Sequence, residues 1–106
     1  MTAEPRGDTN LIVRRITYMC KPGKDMMKWI KANSQILRAV DGMRRVDFIR
    51  SRENPEVWGA YFYFNELKDL ETYKVSGPYK DIVKSLSEYA DMKKPITEEV
   101  FDYLEV

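Results

Sequence analysis

Val57-Trp58-Gly59-Ala60-Tyr61-Phe62-Tyr63-Phe64 is the densest aromatic stretch of the chain. Valine and the aromatic residues favour a pleated, packed surface, so these eight residues predict a strand. Both sets of alternate positions are apolar or aromatic, which predicts cover on both faces. The stretch runs straight into a helical segment that breaks at Ser76-Gly77-Pro78-Tyr79 and restarts. The rest of the chain has to supply the cover.

Upstream, Glu53-Asn54-Pro55-Glu56 reads as a turn, and Met43 to Arg52 as the strand that pairs antiparallel with the aromatic one. Alternation puts Arg44, Val46, Phe48 and Arg50 on one side, with Met43, Arg45, Asp47 and Ile49 on the other. Arg44, Arg45, Arg50 and Arg52 lie close together, but acidic residues are interspersed and no RNP-like motif accompanies them, so a solvated strand edge is favoured over a nucleic-acid surface. Before this strand a helix is expected from about Lys24 to Val40. Asp25 stands in its first turn and Gly42 just beyond its end. Met26, Ile30, Leu37 and Val40 form its inward stripe, widened by Trp29 and Ile36. Asn33 sits within that stripe and reads either as a buried amide satisfied by backbone or as a donor facing a ligand. Leu11 to Met19 is a further strand with arginine on both sides, Arg14 and Arg15. An edge-exposed arginine is favoured there over one that points into a cavity. Residues 1–10 read as a flexible tail and residues 11–106 as a single domain.

Downstream, Asn65 is a suitable N-cap for a short helix through Leu67, Leu70 and Tyr73. Ser76 is a plausible cap for the next, with Pro78 tolerated in the first turn. Tyr79, Ile82, Val83, Leu86 and Ala90 form the inward face of that second helix. Ile96 to Val106 is read as a last strand, although Thr97-Glu98-Glu99 would also suit a helix start. The order strand, helix, strand, strand, broken helix, strand is that of an α+β fold, a ferredoxin-like βαββαβ sandwich with a four-stranded antiparallel sheet.

Composition narrows the chemistry. The chain has 106 residues, 43% hydrophobic and 33% charged, and its 18 basic and 17 acidic residues leave a net charge of +1. Such a balance gives no general attraction to nucleic acid or to an anionic membrane. No run approaches the roughly 20 apolar residues of a membrane span, and the N-terminus lacks the apolar core of a signal peptide. One cysteine, Cys20, excludes an internal disulfide and fits a reducing compartment, so a cytoplasmic protein is expected. Histidine is absent. That removes the commonest general base, the commonest metal ligand and every His-dependent triad. No phosphate-binding or dinucleotide-binding glycine loop and no nucleophile elbow is present. Neither a cofactor nor a metal is expected.

The hairpin strand that leads into Asn65-Glu66-Leu67 and Leu70, followed by Ser76-Gly77-Pro78-Tyr79 and Ile82-Val83, resembles the antibiotic biosynthesis monooxygenase family. The resemblance covers about residues 10 to 106. It implies a dimeric α/β barrel, in which the sheets of two subunits pack face to face and a cavity lies between sheet and helices. It also implies one of three activities: cofactor-free oxygenation of polyphenols or quinols, haem degradation, or small-molecule binding. Relatives often carry histidine after the second-break proline, where this chain has Tyr79. They often carry tryptophan near the position of Phe64 or Asn65. The missing histidine counts against the haem-degrading branch, although tyrosine can ligate haem.

Two functions follow. The first is a cofactor-independent monooxygenase on a small aromatic or quinol-type substrate, with Tyr79, Asn65 and Asn33 as catalytic candidates. Tyr61, Tyr63, Phe64, Arg50 and Trp29 would then bind the substrate. Such chemistry needs a dry pocket and groups that stabilise a substrate anion. The second is a non-catalytic homodimeric module of the same fold that binds a small apolar ligand or a protein partner.

Overall fold

The computed structural model describes residues 11–104, so the proposed tail at 1–10 and the last two residues lie outside the described part. Four strands and three helices alternate as expected: β1 (Ile12–Met19), α1 (Met26–Arg38), β2 (Met43–Arg50), β3 (Val57–Phe64), α2 (Leu67–Lys74), α3 (Gly77–Leu86) and β4 (Thr97–Asp102). The sheet order is β2-β3-β1-β4, and every pair is antiparallel. This is the ferredoxin-like α+β sandwich. The aromatic strand β3 is central because its residues pair on both edges: Phe62 sits opposite Arg14 of β1 and Val46 of β2.

The core draws on one set of alternate strand residues only. Ile12, Tyr18, Val46, Ala60, Phe62 and Phe64 pack with Met26, Trp29, Ile30 and Leu37 of α1, Leu70 and Tyr73 of α2, and Leu86 of α3. All three helices therefore cover the same face. The other face carries Val13, Arg15, Thr17, Ile49, Tyr61, Tyr63, Phe101 and Tyr103, by strand alternation and register. Cover on both sides of β3 is thus not provided within one chain, and Tyr61 and Tyr63 are half-buried. Val13 is the exception on that face, buried between its cross-strand neighbours Tyr63 and Phe101.

Several boundaries and caps differ from expectation. Asp25 is the N-cap of α1 itself, its carboxylate accepting from Lys28 N. Ala39 ends that helix in ordinary helical geometry, and Gly42 instead turns the chain into β2 with φ +81°. Ile36 faces outward, 53% exposed. Asn65 does not cap α2: Glu66 holds the cap position and makes no side-chain capping bond. The backbone N–H of Asn65 donates to Gly42 O at 2.9 Å, and its side-chain oxygen accepts from Arg44. Ser76 does cap α3, accepting from Tyr79 N at 3.2 Å. Strand β4 is shorter than Ile96 to Val106, and every residue in it is exposed.

Candidate functional site

The break between α2 and α3 positions the site. Ser76 Oγ donates to Tyr73 O at 2.6 Å and accepts from Tyr79 N, so one side chain ties the end of one helix to the start of the next. The tyrosine rings at these two positions meet edge to face, 5.1 Å between centroids. Beside them lies a small, partly open pocket of about 40 Å³ between the sheet and α1 and α3. Its lining includes Tyr18, Trp29, Phe62, Tyr73 and Tyr79, together with the guanidinium-bearing Arg14.

Arg14 is the residue that sequence reasoning placed differently. Its side chain is 4% exposed, buried against expectation. Burial is possible because Nε donates to Glu98 of β4, and because its guanidinium carbon lies 5.5 Å from the Phe62 ring centroid and 5.8 Å from that of Tyr79. Glu98 also accepts from Lys74 Nζ at 2.9 Å. Burial alone would favour the neutral acid, but the hydrogen bonds from Lys74 and Arg14 outweigh it and hold the Glu98 carboxyl below its ordinary value. A signal was present in the sequence: arginines stood on both sides of β1, and one of the two faces had to be the core side.

The other predicted residues divide. Tyr79 and Trp29 line the cavity, and the Trp29 indole N–H donates to Ser85 Oγ at 2.9 Å. Phe64 is fully buried in the core beside it, with its ring 6.0 Å from that of Tyr73. Asn33 lies on α1 and donates to Trp29 O, one turn back along its own helix; this is the backbone-satisfied reading of that amide. Asn65 is exposed at the far end of β3. Tyr61 and Tyr63 belong to the opposite sheet face, where Tyr63 meets Tyr103 edge to face at 6.4 Å. Arg50 is exposed, donates to Pro55 O and stacks over Trp58 at 4.8 Å. It borders a separate open depression shared with Cys20 and Met26.

A groove of about 690 Å³ lies on the outer side of the helices, edged by Ile36, Asp41, Glu66 and Asp69. It is open to water, which weakens any interaction made there. Tyr73 is a wall common to this groove and the inner cavity. Among the described residues, no group of three or more metal-ligating side chains comes together, and no helix is long and apolar enough to cross a membrane.

Burial raises the phenol pKa of Tyr73 to about 12. Burial, reinforced by nearby Cys20, raises that of Tyr18 further. A phenol that ionises later in the fold than in the unfolded chain contributes stability that is complete below pH 10 and is lost as the pH rises toward 12. Spectrophotometric titration should therefore show two of the seven tyrosines ionising last, together with unfolding. A single unperturbed phenol transition near pH 10 with the fold intact would contradict this burial.

Comparison with protein-family models and with curated proteins finds no match. Solved structures share the fold. A conserved protein from Methanosarcina mazei Go1 is 19% identical and superposes with a TM-score of 0.76 over 95% of this chain and 100% of that one. A provisionally assigned antibiotic biosynthesis monooxygenase from Bordetella bronchiseptica is 14% identical, TM-score 0.78, over 91% and 99%. SnoaB, a cofactor-independent oxygenase from Streptomyces nogalater, is 7% identical, TM-score 0.74, over 92% and 96%. The fold that the sequence resembled is thus the fold the chain has.

Proposed function

We propose that the protein is a cofactor-independent monooxygenase acting on a small aromatic, quinol-type substrate between the sheet and α3. The observation that carries this reading is the small aromatic pocket with a buried cation, Arg14, in its wall. SnoaB, which has the same fold, is described as a cofactor-independent oxygenase. The reaction balances without a cofactor. An activated ring methylene gives up two hydrogens and four electrons; one atom of dioxygen becomes the carbonyl oxygen, and the other leaves with the two hydrogens as water. Before that, the substrate must become an anion, and a fixed cation in a dry site stabilises it. In this reading Tyr79 is the hydrogen-bonding partner of the substrate oxygen, and Trp29 and Phe62 supply the aromatic wall of the same pocket.

The cavity at about 40 Å³ admits a water or dioxygen but not a benzene ring. A ring-sized ligand therefore requires the pocket to open; Tyr73 is the wall it shares with the outer groove. The small volume, and a lining without any carboxylate to act as base, favour the second reading, a non-catalytic module that binds a small ligand or a protein partner. An oxygen-uptake screen against quinols and anthrone-type phenols separates the two. Consumption of one dioxygen per product supports the oxygenase; binding without uptake leaves the module. Tyr79→Phe should weaken binding or turnover and keep stability within about 1 kcal/mol. Unchanged turnover in that variant would remove Tyr79 from the site.

The uncovered sheet face supports a homodimer, closed as a dimeric α/β barrel. Tyr61, Tyr63, Ile49, Phe101 and Tyr103 leave a broad apolar surface there. An obligate interface of this kind buries on the order of 2,000 Å² or more. Sedimentation should give a dimer at micromolar concentration, and a chain cut after Glu99 should lose it. A monomeric full-length chain would refute the proposal. The single cysteine fits the reducing cytoplasm, where we place the protein.

A further inference from the structure

We propose that the open depression beside Arg50 is a second binding site, and that it takes a small organic phosphate with a flat, apolar body. The site is independent of the pocket between the sheet and α3. Three connections meet here, β1 to α1, β2 to β3, and α3 to β4, and they border a depression of about 850 Å³. The backbone ties them to one another. Cys20 N–H donates to Glu56 O at 2.7 Å, Lys21 N–H to Tyr89 O at 2.8 Å, and Asp91 N–H to Met19 O at 2.8 Å. The Cys20 thiol also donates to Lys21 O and Lys24 O, which holds the first connection in shape. A rim fixed before a ligand arrives has little freedom left to lose on binding.

The charges on this rim are unmatched. Lys21, Lys24, Arg50 and Lys94 line it, against Asp25, Glu56 and Asp91. Among the described residues none of the seven forms an ion pair. Asp25 accepts from Lys28 N and Asp91 from Lys93 N, so two of the carboxylates already serve the backbone. Two of the cations are held in place by aromatic rings. Arg50 lies over Trp58 at 4.8 Å with its Nε donating to Pro55 O, and Lys24 lies over Tyr89 at 5.7 Å. Arg50 is exposed, so its guanidinium stays within reach of an incoming anion. A phosphate monoester brings up to two charges and three acceptor oxygens. That suits cations arriving from all three connections better than the single charge of a carboxylate does. Trp58, Met27, Pro22 and Pro55 supply an apolar wall for the rest of the ligand.

Phenyl phosphate is the probe, compared with benzoate, inorganic phosphate and phenol. Calorimetric titration at neutral pH and low salt should give phenyl phosphate about tenfold tighter binding than any of the three. High salt should weaken it several-fold, because the charges are exposed and screened. Arg50→Gln and Lys94→Gln should each weaken it about three- to tenfold. Arg50 also braces the hairpin through Pro55. If its variant does not fold, Lys94→Gln decides, since Lys94 is an exposed side chain. Tyr79→Phe alters the pocket beside α3 and should leave phenyl phosphate binding unchanged. No binding of phenyl phosphate, or benzoate or inorganic phosphate bound as tightly, would overturn the inference. So would full binding in Lys94→Gln. Loss of binding in Tyr79→Phe would move the ligand to the other pocket and overturn it as well.

Discussion

Phe64→Ala should cost about 3–5 kcal/mol, among the largest losses available to a single substitution in this chain. The ring is fully buried. It stands where the end of β3 passes into α2, packs beside Tyr73, and lies opposite Ile12 of β1 and Met43 of β2. The cost has two parts: the apolar surface is no longer buried, and the surrounding strands, held by their ladders, cannot close the hole. A domain of this size is stable by about 5–15 kcal/mol in total, so the variant should be close to unfolding at 37 °C. Urea denaturation should show a large fall in midpoint with an unchanged slope. A loss below about 1 kcal/mol would mean that the site relaxes freely and that the Tyr73 wall is not held from behind.

Gly59→Ala should destabilise by about 1–3 kcal/mol through collision. A Cβ built at Gly59 would lie 2.4 Å from the backbone oxygen of Ile16 and 3.1 Å from the Thr17 methyl. The oxygen belongs to a sheet-bonded strand and cannot swing aside as a side-chain tip would. By contrast, a Cβ at Gly77 meets nothing within 4 Å. It also needs no left-handed backbone, since among the described residues only Gly23 and Gly42 have positive φ. Gly77→Ala is therefore the control and should be neutral or slightly stabilising, because it restricts the unfolded chain. Thermal melts should separate the two by several degrees for each kcal/mol. Equal melting temperatures would show that β1 and β3 can part at this point without loss.

Element order and type were legible in the sequence because they depend on local signals. The aromatic run Val57 to Phe64 matches β3 residue for residue. The break at Ser76-Gly77-Pro78 places the start of α3, since a hydroxyl cap followed by a proline in the first turn is decided within four residues. The inward faces of α1 and α3 followed from their period, apart from Ile36. The site was only half legible. Tyr79 and Trp29 could be placed because each lies on a helix whose inward side is set by its own periodicity. Strand residues could not be placed that way: β3 is aromatic on both sets of positions, so alternation alone could not tell which of Tyr61, Phe62, Tyr63 and Phe64 faces the helices. Only the tertiary packing decided that Phe62 turns toward the cavity and Tyr61 and Tyr63 away from it. The same holds for Arg14. Its burial depends on Glu98, 84 positions along the chain, and no local pattern shows that partner. An ion pair across that separation exists only once β4 has docked beside β1, so the charged wall of the candidate site is a property of the folded sheet and not of any segment of the sequence.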